Sequence, residues 1–362
     1  MAEEILIWTA VAVASLIALY FLVCMLTVGI VFHLLYGRAD HSRSRRALFS
    51  DFPEITIVRG FIPFGRNKRL AFYLLGAENK KGLVIISHGI RDCGEGYFTE
   101  ARAFLARGYA VLLYDAVGSG NSSGNSQRGL PQSAIDLDRV LTYAENEPRF
   151  SGLDFYLYGH SWGGYAVCAV FDLAPHPRVR AVVSVSGFDA PCRMLLESTA
   201  TKSVDFARFV YPPLRIMQFL RFGTGMYRTA VKGIRKAKGT KFYILHAEYD
   251  EVIRADGASV YARRAALSGE GERVRFRLLP GRTHLNGWLS EACCERNRVQ
   301  DTRFHAATDM YGFFVSKKAE EEFYAPIGRE ERVALSEADG KFFDELDAFY
   351  ADAGRKSCQN TI

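Results

Sequence analysis

The sequence predicts an α/β protein: a mostly parallel, eight-stranded sheet flanked by helices, carrying a helical cap insert and preceded by one transmembrane helix. Three observations predict it. Eight short runs rich in Val, Ile, Leu and aromatic residues alternate, in the later part of the chain, with stretches of helical spacing, which is the pattern of βαβ units. A long run without a single charge stands at the N-terminus. A segment of helical spacing interrupts the alternation after the sixth apolar run.

The bulk numbers bound this reading. A chain of 362 residues holds one large domain or two smaller ones. With 49% hydrophobic and 24% charged residues it can bury a sizeable core and lacks the signature of disorder. The net charge of +6 forms no long basic run among stacking aromatics, which argues against nucleic-acid binding. The seven cysteines are odd in number and scattered, with no CxxC pair or Cys/His metal spacing, and read as reduced thiols. The neighbours Cys293 and Cys294 are expected as ordinary thiols in a loop.

From Ile5 to Tyr36 there is no Asp, Glu, Lys or Arg, well beyond the roughly 20 apolar residues that cross a bilayer. Glu3 and Glu4 precede the run where a cleaved signal would carry bases, and the run exceeds a signal's apolar core, so a retained anchor is expected. Trp8 and Tyr36 near its ends suit the headgroup level. The alternative for its second half is packing on the body of the protein. Arg38, Arg43, Arg45 and Arg46 follow the run, so the positive-inside rule places the body in the cytoplasm. A sequon at Asn121-Ser122-Ser123 matters only if the body is exported. The expected organisation is an anchor over 1–37, a basic linker over 38–51, and the α/β body over 52–362 with its cap at about 190–240.

The expected strands are Ile55–Val58, Leu70–Leu75, Leu83–Ser87, Ala110–Tyr114, Phe155–Tyr158, Val179–Val185, Phe242–His246 and Val274–Leu279. The first two, joined by Gly65-Arg66-Asn67-Lys68, form an antiparallel hairpin at the sheet edge. In the insert, Phe206, Phe209, Val210, Leu214, Met217 and Leu220 have helical spacing. It also carries ten bases between Arg193 and Lys238 against two acids, Glu197 and Asp205. That excess fits either a solvated face or attraction to anionic lipid headgroups.

The chemistry is concentrated in Gly159-His160-Ser161-Trp162-Gly163-Gly164, a G-x-S-x-G run that follows one strand and opens a helical stretch, Tyr165–Phe171. Small residues are required there because the nucleophile sits on a strained strand-to-helix turn. A serine hydroxyl needs a histidine to remove its proton and a carboxylate to orient that histidine, in the chain order serine, acid, histidine. Asp250 follows the seventh strand and His284 follows the eighth. Glu248, Glu251 and Asp189 are the alternative acids. The N–H groups of Ile90, after Ser87-His88-Gly89, and of Trp162 are the candidate donors to a developing oxyanion. The Gly/Ser-rich loop Tyr114–Ser122 lacks the G-K-[ST] ending of a phosphate loop and reads as structural.

Taken together, Ser87-His88-Gly89, Asp115-Ala116-Val117-Gly118-Ser119-Gly120, Gly159–Gly164, Asp250 and His284 resemble the serine aminopeptidase S33 and monoacylglycerol lipase-like branch of the α/β-hydrolases, over roughly residues 52–350. The resemblance implies ester hydrolysis through an acyl-enzyme on Ser161, without a cofactor or metal. It implies small acyl-ester substrates of monoacylglycerol or lysophospholipid type. Two departures stand out. Ala116 or Val117 replaces an arginine frequent in relatives, and Trp162 replaces a methionine, with bulk expected to narrow the acyl pocket. The stretch from Asn286 to Gly340 is longer than the simple helix expected after the histidine, and reads as an extra cap or docking surface. Competing readings are an S33-type peptidase, which needs cap acids to hold a substrate amine, and a catalytically silent membrane-bound binding protein of the same fold. A dehalogenase would need a carboxylate where Ser161 stands.

Overall fold

The computed structural model describes residues 1–39, 44–200, 204–309 and 314–359. Its strands are β1 (Ile57–Phe64), β2 (Lys68–Leu75), β3 (Leu83–Ser87), β4 (Ala110–Tyr114), β5 (Phe155–His160), β6 (Val179–Val185), β7 (Lys241–Tyr249) and β8 (Val274–Thr283), in the order β1-β2-β4-β3-β5-β6-β7-β8. β1 and β2 are the antiparallel edge hairpin, and every pair from β4 to β8 is parallel. The hairpin turn places Gly65 and Asn67 at φ +54, the left-handed region that glycine and asparagine tolerate best. β1 starts two residues later than expected because Ile55 N–H closes a turn onto Phe52 O instead of entering the ladder. β7 and β8 outrun their apolar stretches, since pairing continues to Tyr249 opposite Thr283.

Alternation along the central strands builds two cores. Leu83, Ile85, Phe155 and Leu157 face a layer formed by α3 (Gln132–Asn146) and α4 (Trp162–Ala169), whereas Val84, Ile86, Tyr156 and Tyr158 face the other side. That second side is covered by α2 (Phe98–Leu105) and the C-terminal α11 (Gly340–Gln359), whose Tyr350 hydroxyl donates to Leu157 O at 2.9 Å.

The N-terminal helix α1 (Ala2–Tyr36) has two environments. Ala2–Ile30 is long and apolar enough to cross a membrane, and its side chains from Ile5 to Val23 are largely exposed. Cys24, Val28, Phe32 and Tyr36, each four residues apart and so on one helical face, are buried against the body. Tyr36 is therefore a packing residue, not a free headgroup anchor.

The chain after α1 is not a loose linker in its described part. Arg38 donates to the carbonyls of Gly120, Ser122 and Gly124, Arg45 pairs with Asp301, and Arg46 pairs with Asp92 at 3.0 Å. Phe49 and Phe52 are buried. Three of the four arginines read as a membrane flank thus have partners inside the protein, and Arg43 lies outside the described residues.

After β6 come α5 (Pro191–Ala200) and α6 (Val204–Phe222), which form the cap, and then α7 (Ala230–Lys236). α7 belongs to the sheet-covering layer: a Cβ on Gly233 would stand 2.0 Å from Cys168 O on α4, so only glycine permits that approach. Of the cap stripe, the side chains of Phe206, Phe209 and Val210 lie outside the described residues, Leu214 is buried, Met217 is half-buried, and Leu220 is 72% exposed. α6 also touches α1, where the Arg221 guanidinium lies 4.7 Å above the Phe32 ring.

The stretch after His284 folds into α8 (Glu291–Ala307), α9 (Lys317–Tyr324) and α10 (Arg329–Ala334) around a small core of Phe323, Ile327 and Leu335. Cys293 and Cys294 lie on α8 and not in a loop; burial pushes the Cys293 thiol up to about 11 and raises that of Cys294. Neither is a ready thiolate.

Candidate active site

Ser161 stands between β5 and α4 at φ +57, ψ −114, a backbone conformation that L side chains rarely adopt. The surrounding glycines are explained by contact. A Cβ on Gly163 would lie 1.9 Å from Ser87 O, and one on Gly159 would lie 2.3 Å from Gly163 O. Gly163→Ala is therefore expected to destabilise the body by about 3 kcal/mol or more, read from chemical denaturation.

The strand-end loops bring the other predicted residues to this turn. His284 Nε2 lies 2.9 Å from Ser161 Oγ, and His284 Nδ1 lies 2.8 Å and 2.9 Å from the two oxygens of Asp250. All three residues are buried. Asp250 Oδ1 also accepts the N–H groups of Val252 (3.0 Å) and Ile253 (2.8 Å). Burial alone would raise the Asp250 carboxyl, but the bond and charge of His284, with the Ile253 N–H and His246, outweigh it and hold the group below its usual range. An ionised Asp250 fixes the proton of His284 on Nδ1, which leaves Nε2 free to accept the Ser161 proton.

The alternative acids are placed elsewhere. Glu248 accepts the N–H of Gly281 and Glu251 that of His284, so both brace the histidine loop. Asp189 holds Arg193 and the Val231 N–H, which ties α5 to α7. His305 lies in the last turn of α8.

Among the described residues, neither the Ile90 N–H nor the Trp162 N–H meets a protein acceptor. The Trp162 indole is buried against α3 with Nε1 donating to Leu130 O at 2.8 Å, so its bulk fills the core instead of narrowing a pocket. The fourth-strand loop is structural: the Asp115 carboxylate accepts Gly94 N–H, Asn121 N–H and the Tyr73 hydroxyl, and Ala116 N–H donates to His88 Nε2. Asn121 of the sequon donates its amide to Tyr73 Oη in the folded body.

Two residues of the site carry no motif of their own. The Tyr97 hydroxyl accepts the Gly89 N–H at 2.9 Å and donates to His160 Nδ1 at 2.7 Å, while His160 Nε2–H donates to His284 O at 2.8 Å. Burial, with the neighbouring His284, pushes His160 well below the ordinary histidine range, so it is a neutral connector. His160 was visible only as the variable residue of G-x-S-x-G, and Tyr97 had no sequence signal, since it lies in a turn 63 positions away.

This arrangement has relatives. Its fold is similar to an esterase of Pyrococcus furiosus at a TM-score of 0.51 and 14% identity, covering 69% of this chain and 90% of that one. The chain has the α/β-hydrolase fold. Within α/β-hydrolases, a family model described as serine aminopeptidase, S33, matches residues 78–222, in line with the resemblance read from the motifs. A proline iminopeptidase of Clostridioides difficile is 28% identical over 111 residues, 30% of this chain. That match spans about a third of the relative's own length, 36%.

Proposed function

We propose that this α/β-hydrolase is a membrane-anchored serine hydrolase that cleaves carboxylic esters, of monoacylglycerol or lysophospholipid type, through an acyl-enzyme on Ser161. The observation that carries the reading is the His284 Nε2 to Ser161 Oγ distance of 2.9 Å with Asp250 behind the imidazole. In the first step Ser161 Oγ bonds to the ester carbonyl carbon while His284 takes its proton, and the N–H groups of Ile90 and Trp162 hold the oxyanion. Collapse expels the alcohol, protonated by His284. Water, deprotonated by the same imidazole, then releases the acid and restores Ser161.

The lipid-like substrate is supported by the cap. On α6, Ile216, Phe219 and Leu220 share an outward face and are 43%, 50% and 72% exposed, beside an α1 that is itself apolar and exposed. A bilayer crossed by α1 would meet that face, with the body on the cytoplasmic side. Phe219→Asp with Leu220→Asp is expected to lower hydrolysis of long-chain monoacylglycerol in vesicles about tenfold or more, while p-nitrophenyl acetate hydrolysis changes less than twofold. Equal rates on both substrates would remove the bilayer contact from the reading.

The peptidase reading draws support from the iminopeptidase match and the description of the family model. Against it, Glu197, one of the two cap acids, is engaged by the N–H groups of Arg254 and Ala258, and the Asp205 side chain lies outside the described residues. A p-nitrophenyl ester series against prolyl p-nitroanilide separates the two. Faster turnover of the anilide would move the peptidase to first place.

A further inference from the structure

The segment that follows α1 grips the loop that carries Ile90, and does so at several points. The carbonyl of Tyr36, the last residue of α1, accepts the Gln127 N–H at 2.7 Å. The side-chain Oε1 of the same Gln127 accepts the Arg91 N–H, one residue beyond Ile90, at 2.9 Å. Gln127 is fully buried, and its Nε2 donates to Ser119 Oγ at 2.7 Å, so the amide cannot rotate away. Ten residues past Tyr36, Arg46 Nη1 donates to Asp92 Oδ2 (3.0 Å) and Gly96 O (3.1 Å), with its guanidinium 5.9 Å from the Tyr97 ring centroid. Phe49 N–H adds a bond to Glu95 Oε1 at 2.7 Å.

These grips converge on a strained piece of chain. Arg91 sits at φ +57 without being glycine, a conformation that costs of order 1 kcal/mol and persists only when its neighbours enforce it. Tyr97, at the other end of the loop, holds the Gly89 N–H and reaches His160 and thence His284. Ile90 lies between the two clamped ends.

We propose that Arg46 and Gln127 are positioning residues: the segment after the anchor clamps the 89–97 loop so that the Ile90 N–H faces the oxyanion, coupling docking of the anchor to competence of the site. This rests on the assignment of Ser161 as nucleophile and Ile90 as donor. Loss of a clamp leaves substrate binding intact and costs transition-state stabilisation, because the donor is misplaced only for the oxyanion.

The test uses the full-length protein in detergent, as wild type, Arg46→Ala, Arg46→Lys and Gln127→Ala. Active sites are counted by end-point labelling with a fluorophosphonate, and p-nitrophenyl acetate turnover is expressed per labelled site. Arg46→Ala and Gln127→Ala are expected to lower kcat per site about tenfold or more with KM within twofold. Arg46→Lys should recover only part, since an ammonium keeps the charge pairing with Asp92 but loses the planar guanidinium beside the Tyr97 ring. Turnover per labelled site within twofold of wild type in both alanine variants overturns the proposal, even if fewer sites are labelled, because that result is a folding defect alone. Wild type that gives no labelled sites removes the serine-hydrolase reading itself and the proposal with it.

Discussion

Ser161→Ala is expected to abolish fluorophosphonate labelling and to lower kcat on p-nitrophenyl esters by about 10⁶, the scale on which removal of a triad nucleophile acts. The fold should survive the change. Alanine keeps the Cβ at φ +57, so the backbone strain of the turn is the same in both proteins. What is lost is one hydrogen bond, Ser161 Oγ to His284 Nε2, worth about 1 kcal/mol. Labelling and melting curves on the same preparation check both halves. Labelling that persists in a folded Ser161→Ala protein would place the nucleophile elsewhere.

Asp250→Asn is expected to lower kcat by about 10⁴ with little change in KM. The reason is the wiring of the carboxylate. Oδ1 accepts two backbone N–H groups, from Val252 and Ile253, so the carbonyl oxygen of an asparagine must take that position. Its NH₂ then takes the Oδ2 position, 2.8 Å from His284 Nδ1, and favours the tautomer in which that nitrogen accepts. The imidazole proton moves to Nε2, where it points at Ser161 and blocks proton abstraction. The same carboxylate also sets a sign for stability. Its pKa is held below the unfolded value, so its contribution is present above about pH 4 and is lost as pH falls through the depressed folded value. Asp250→Asn should therefore flatten the acid side of a melting-temperature profile as well as suppress turnover. An unchanged kcat would transfer the orienting role to another acid, with Glu251 next in line because its carboxylate already meets the His284 N–H.

Much of the sheet and the three central residues of the site were legible in the chain itself. The central strands β3, β4 and β6 begin and end where their apolar runs do, because a strand covered on both faces reads as a near-continuous apolar run. The other strands depart from their apolar runs by up to six residues, β1 continuing to Phe64 where Val58 is expected and β5 taking in Gly159 and His160, because ladder hydrogen bonds, not hydropathy, terminate them. The cap boundary was blurred for a related reason. α7 has the basic composition of the insert, yet a glycine at 233 lets it close on α4 and join the body.

What the sequence determined by itself was the order of strands and helices, the apolar N-terminal helix, and the approximate positions of Ser161, Asp250 and His284, since each depends on local pattern: period two, period 3.6, or small residues around a strained turn. Only the tertiary structure decided which side chains meet across long separations. Tyr97 under Gly89 and His160, Gln127 between Tyr36 and Arg91, Arg46 on Asp92 and Gly96, and the reversal of Tyr36 from headgroup anchor to core residue all follow from how the layers stack. Such contacts leave no periodicity in the chain, because a hydrogen bond between distant loops constrains one residue on each and nothing between them.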